Sequence, residues 1–378
     1  GDGGGGEQNT NGYVVTTLAG QGSNSAGSAD GPATSATFSS PMGVAVGPDG
    51  SVYVADTGNN KIRKIANGTV STVAGTGGLA ANSTNIDGPC TSALFSGPTN
   101  LAVDQNGTIY VADSGDNVIR KITNSDSAAC AVSTLAGQAG AGGYADGMGS
   151  SAQFSNPTGL TLDATGNVYV TDSGHMRKIT PAGVVTTIVT SGVDLNAPWG
   201  IAIDGSGNLY VSESLPWIML ALSPTTPIIS VDGIIKITLS GTVNTWTGSE
   251  IQGLTDGVGA SAGFSIPCGM AFGPDGALYV ADTGNDRIRR ITPDAQVTTI
   301  AGTTPPLVPG APDTVSVTNG PPPTCSMPLP AWDSTTTLRD GPADQAVFNS
   351  PEDVAVDASG AIYVADRYNN AIRKITPQ

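Results

Sequence analysis

One stretch, FSSPMGVAVGPDGSVYVADTGNNKIRKIANGTVSTVAG at residues 38–75, returns along the chain with changes. Copies begin at Phe95, Phe154, Leu195, Phe264 and Phe348, which makes six in all. A repeat of this size cannot bury its apolar face alone, so neighbouring copies must stack into a solenoid, a propeller or an array.

Each copy holds four short apolar runs, seen in the first as GVAV, SVYVAD, KIRKI and TVSTVAG. Between them stand GPDG, TGNN and ANG, whose Gly, Asn and Asp supply the positive φ angles of tight hairpins. Each copy therefore reads as a four-stranded antiparallel meander. The first two runs are almost wholly apolar while the third carries Lys and Arg, so burial is expected to fall from an axial strand outwards. The chain ends at Gln378, after the third run of the sixth copy, and the missing fourth run is found at the N-terminus as VTTLAG at residues 15–20. The expected fold is all-β: a six-bladed β-propeller of four-stranded antiparallel blades, closed by the N-terminal strand completing the last blade. Closure of this kind removes open strand edges. The expected organisation is a flexible Gly-rich leader over 1–12 and one propeller domain over 13–378, with insertions near 214–233 and 303–339.

The recurring FSxPxGVAVxxxGxVYVADTGNNxIRKI pattern resembles the NHL-repeat family of six-bladed β-propellers, over nearly the whole chain after Tyr13. What the resemblance implies about activity is broad. The family holds protein- and RNA-binding modules, extracellular sensor domains and a few lyases and hydrolases, and a fold does not dictate a function.

Composition narrows that range. Fifteen Lys and Arg against 31 Asp and Glu give a net charge of −16, which argues against nucleic acid because affinity for phosphates rests on cations. Only 12% of residues are charged and 52 are Gly, as suits short strands and many turns. Cys90, Cys130, Cys268 and Cys325 lack CxxC spacing and leave three disulfide connectivities open. The arrangement favours Cys90 with Cys130 and Cys268 with Cys325, since the latter two lie in segments leading into and joining blades five and six. Disulfides point to an extracellular or bacterial envelope location. No apolar run is long enough to span a membrane. The leader GDGGGGEQNTNG resembles the tether behind the lipidated Cys of a bacterial lipoprotein, and a monomer is expected.

Two co-varying positions stand out. Asp56, Asp113, Asp172, Asp282 and Asp366 close the second run of five copies, and the same copies carry Arg63, Arg120, Arg177, Arg289 and Arg373. The fourth copy has Glu213 and Ile235 instead, so an Asp–Arg bond inside each of the other five blades is expected. A second motif, ADGPATSATF and its relatives, precedes five copies; its Asp-Gly suits a turn and its Ala-rich part a single helical turn delivering the Phe to the core.

Function is sought where copies depart from their own pattern. Most place Gly after the position held by Met42, Thr158, Trp199 and Cys268, but Thr99 is followed by Asn100, and the sixth copy has Glu352 and Asp353. Its next loop reads ADRYNN, placing Arg367 and Tyr368 where other copies have Thr-Gly or Ser-Gly. The fourth copy adds Trp217, Ile218, Met219 and Leu220 on the side of Trp199. The expected ligand-binding set is thus Trp199, Trp217, Glu352, Asp353, Arg367, Tyr368 and Asn100. With no catalytic residue assigned, the first expectation is a non-enzymatic binding or sensor module for a protein, peptide or glycan. The alternative is a hydrolase resembling calcium-dependent lactonases, with Glu352, Asp353 and Asn100 holding the ion at the axis. The repeat itself needs no cofactor. A zinc lyase is disfavoured, because His175 is the only histidine.

Overall fold

The computed structural model describes residues 12–78, 86–188, 195, 197–214, 232–249, 252–303, 325 and 338–378. Six antiparallel sheets surround one axis, each following the chain from an inner strand outwards. In blade one these strands are Gly43–Val46, Val52–Asp56, Lys61–Ala66 and Thr69–Ala74.

The expected four strands per blade is corrected to five in all but blade four. The fifth is a two-residue strand from the Asp-Gly motif: Gly31–Pro32 pairs with Val70 and Thr69 in blade one, and Gly88–Pro89 does the same in blade two. The physical reason lies in the preceding Asp. Asp30 accepts from Thr72 N at 3.0 Å and from the Arg63 guanidinium at 2.6 Å, which pins the next two residues against the outer strand. Gly31 adopts φ +130°, a backbone angle that side chains disfavour. In blades one, two and six the outermost strand ends in Pro, which has no N–H to recruit another strand.

The basic third strands divide by alternation rather than lying uniformly near solvent. Arg63, Arg120, Arg177, Arg289 and Arg373 are completely buried. Each holds the Asp that ends the second strand at 2.6–3.0 Å and a second Asp from the Asp-Gly motif at 2.6–2.9 Å. Each also lies 4.9–5.2 Å from the ring centre of the Phe that opens the copy. Blade four replaces the whole clamp together, with Leu195, Glu213 and Ile235 at the Phe, Asp and Arg positions. A buried guanidinium needs both carboxylates to offset its desolvation, so losing one member removes the reason for the rest.

Neighbouring blades are latched at a left-handed residue after the second-to-third loop. Asn60, Asn117, Asp286 and Asn370 have φ of 48–56°, which Asn and Asp tolerate. Their side-chain oxygens accept from Gly97, Asn156, Ser350 and Ser40 N of the next blade at 2.6–2.8 Å. The last of these joins blade six to blade one. Closure is completed by Tyr13–Ala19, which pairs with Ala371–Pro377 on one side and Gly341–Pro342 on the other.

The turns DQNGT, DATGN and DGSGN, between the first and second strands of blades two, three and four, have a superficial likeness to calcium loops but close on themselves: in the first, Asp104 Oδ1 accepts from Asn106 N and Thr108 N at 2.8 and 2.9 Å. Both expected disulfides, Cys90–Cys130 and Cys268–Cys325, are present, in keeping with an extracellular or envelope protein. Among the described residues no helix is long and apolar enough to cross a membrane.

Candidate functional site at the mouth of the axis

The six inner strands approach one another at the residues Gly43, Asn100, Gly159, Gly200, Gly269 and Asp353, which share one position of the repeat. Glycine prevails there because the strands meet backbone to backbone. A Cβ on Gly200 would collide with the Cys268 carbonyl, and one on Gly269 with the Asp353 carboxylate. Asn100 and Asp353 are the two exceptions, and they bond to each other: Asp353 Oδ2 accepts from Asn100 Nδ2 at 3.0 Å and from Val44 N at 2.9 Å. One carboxylate thereby ties blades six, one and two together. Beneath it lies an axial cavity of about 310 Å³, lined by Val44, Leu101, Leu160, Ile201, Met270 and Val354 among others.

Asp353 is buried, and this loss of water pushes its carboxyl up to about 7; the charge of Glu352 adds to the rise, while the Val44 N–H and Asn100 oppose it. Glu352 is only 1% exposed and is likewise pushed up to about 7 by burial, with Arg367 opposing. Its Oε1 accepts from Arg367 NH1 at 2.8 Å, whereas Oε2 has no hydrogen-bond partner among the described residues. Arg367 opens a three-residue 3-10 turn, Arg367–Asn369. Its NH1 also donates to Cys325 O at 3.0 Å, and its guanidinium lies 4.9 Å from the centre of the Tyr368 ring. The Tyr368 hydroxyl is buried without a partner among the described residues.

Next to Glu352 lie Cys268 and Cys325, so that two Sγ atoms and one carboxylate oxygen fall within 4.8 Å of one another. This is a candidate metal-coordinating cluster, although its sulfurs are joined as a disulfide. Trp199 packs against Met42, Ile266, Cys268 and Cys325 and is 9% exposed.

Of the residues singled out from the repeat, Asn100 and Asp353 meet at the axis; Glu352, Arg367 and Tyr368 form a contiguous group beside them; and Trp199 forms the wall behind the disulfide. Trp217, with Ile218, Met219, Leu220 and Trp332, lies outside the described residues. His175 stacks on Tyr144 at 4.3 Å. Sequence reasoning assigned Cys268 and Cys325 to the framework alone. The overlooked signal is that Cys268 holds the same repeat position as Glu352 in the next blade, so any partner of Cys268 is delivered to the mouth.

Comparison with known proteins places this geometry. The NHL repeat model matches residues 38–65, 95–122, 154–177 and 348–375. The chain is 26% identical over 359 residues to human Teneurin-4, covering 89% of this chain but 12% of that protein. An auxiliary nutrient binding protein from Bacteroides thetaiotaomicron shares the fold with a TM-score of 0.64 at 18% identity, over 96% of this chain and 76% of that one. A gluconolactonase from Xanthomonas campestris does so with a TM-score of 0.53 at 12% identity, over 96% and 89%. The fold is thus related to both ligand-binding proteins and enzymes. The expectation that leaned away from catalysis is corrected: the fold is shared with a gluconolactonase, and Cys268, Cys325 and Glu352 form a candidate metal-coordinating cluster. With four copies matching the repeat model and six sheets closing one ring, the chain is an NHL-repeat six-bladed β-propeller.

Proposed function

We propose that the mouth formed by blades two, five and six is the active centre of a hydrolase acting on lactones or related esters. The observation that carries this reading is Glu352: a buried carboxyl with one oxygen unpartnered among the described residues, held near neutral pKa beside a cation and a phenol. A general acid or base works best with a pKa near the working pH. Ionised Glu352 takes the proton of the attacking water through Oε2, while the Arg367 guanidinium and Tyr368 hydroxyl stabilise the charge growing on the carbonyl oxygen. As the C–O bond breaks, Glu352 returns the proton to the departing alkoxide. Asn100 and Asp353 form the floor and Trp199 the apolar wall.

Calcium does not fit this arrangement. A calcium ion takes 6–8 oxygen ligands, and of the three expected donors Glu352 is ion-paired to Arg367 while Asp353 Oδ2 is occupied by Val44 N and Asn100. These donors fall well short of a calcium shell, so hydrolysis is assigned to the protein groups alone. A panel of γ- and δ-lactones and aryl esters, assayed with and without chelator, tests the reading. Chelator-insensitive turnover that Glu352→Gln lowers by roughly 10²–10⁴-fold is expected; a panel untouched by folded protein refutes it.

A further inference from the structure

Cys268 and Glu352 occupy equivalent positions in adjacent blades, and Cys325 reaches the same point from the segment that joins those blades in sequence. Three potential ligands therefore converge from three stretches of chain. Cys268 is 0%, Cys325 3% and Glu352 1% exposed, within an apolar wall of Met42, Trp199 and Ile266. As a disulfide neither sulfur is an anionic donor, and Glu352 Oε2 is left buried without a partner among the described residues. A buried carboxylate that keeps one oxygen unpartnered among the described residues and lies within 4.8 Å of two sulfurs is an expensive arrangement unless it serves a second state.

We propose that reduction of Cys268–Cys325 turns the mouth into a site for a thiophilic divalent cation such as Zn²⁺, ligated by the two thiolates and Glu352. A dithiol reductant breaks the S–S bond, giving two cysteine thiols as the reductant itself closes to a disulfide. Metal binding then displaces one proton from each thiol and, where Glu352 is protonated, one from its carboxyl. Three protein donors leave the fourth tetrahedral position open, the arrangement of zinc sites that keep a water or substrate. The site survives loss of the covalent bond because Arg367 holds Cys325 by its carbonyl oxygen and Glu352 by Oε1, while Cys268 lies in the strand Pro267–Phe272. The oxidation state thus selects between a metal-free mouth and a metal-loaded one.

The test uses the full chain refolded under a dithiol, freed of reductant under anaerobic conditions and titrated with Co²⁺, whose thiolate charge-transfer and tetrahedral d–d absorption report the ligands. The reduced protein is expected to bind one Co²⁺ with both signatures, displaced by Zn²⁺, and the oxidised protein to show neither. Cys268→Ser with Cys325→Ser abolishes the signal, Cys90→Ser with Cys130→Ser retains it, and Glu352→Gln keeps the thiolate band but weakens binding by roughly 10–100-fold. Thiol counting and circular dichroism accompany each sample. A folded, reduced protein with titratable Cys268 and Cys325 but no thiolate band overturns the proposal. So does a band that survives the Cys268 and Cys325 double substitution, or a chain that folds only with the bond closed. None of these outcomes depends on hydrolytic activity.

Discussion

At the scale of single residues, burial decides which charges matter. Arg289 is completely buried between Asp282 and Asp256, whereas its neighbour Arg290 reaches the half-exposed Asp275. Removing Arg289 strands a buried carboxylate, so Arg289→Ala is expected to lower unfolding free energy by about 3–5 kcal/mol. Arg290→Ala should cost less than about 1 kcal/mol, and chemical denaturation of both variants compares them directly. Glu352 and Asp353 give a pH dependence of defined sign. Their carboxyls rise from 4.5 and 3.8 to about 7 on folding, so the folded state holds protons that the unfolded chain has released. Their contribution is fully present below the ordinary carboxyl range and is lost as pH climbs towards 7. Relative to the Glu352→Gln, Asp353→Asn double variant, the wild type should lose melting temperature over that interval. A flat or rising difference contradicts the assigned burial.

At the scale of the element, the repeat was legible because hairpin residues and apolar runs recur in the same order six times. The fifth strand was not. A Gly-Pro pair carries no alternation of apolar and polar residues, and its position depends on Asp30 bonding an Arg 33 residues away. The same Asp read in isolation is only a turn former. The Arg–Asp bond itself was visible, because blade four loses both partners at once. The departures from the repeat at Asn100, Glu352, Asp353, Arg367 and Tyr368 were legible in the sequence, but not the placement of Cys268 and Cys325 beside Glu352, since two cysteines 57 residues apart look alike whether they brace a loop or face a carboxylate. Close approach of inner strands makes a further prediction. Gly269→Ala drives a methyl into the Asp353 carboxylate, while a Cβ on Gly205 meets nothing within 4 Å. Gly269→Ala should therefore destabilise by more than about 1 kcal/mol and Gly205→Ala by much less, as measured by thermal melts.

At the scale of the whole molecule, the ring is the unit of stability and the mouth is its consequence. Blade six is completed by Tyr13–Ala19 and latched to blade one through Asn370, so both chain ends share one sheet. Deleting residues 1–20 opens that sheet and leaves the Ala371–Pro377 edge unpaired. The melting temperature should fall sharply, and an unchanged melt would refute closure. The ring also explains the two raised carboxyls beside its axis: inner strands packed backbone to backbone exclude water, and that exclusion raises the Glu352 and Asp353 carboxyls. The most direct test of this account is a carbon-13 NMR titration of the carboxyl groups in the oxidised protein, with Glu352→Gln and Asp353→Asn used for assignment. Two coupled titrations with midpoints near 7 are expected, each altered by its own substitution. Finding that both groups titrate in the ordinary carboxyl range in folded protein would contradict it.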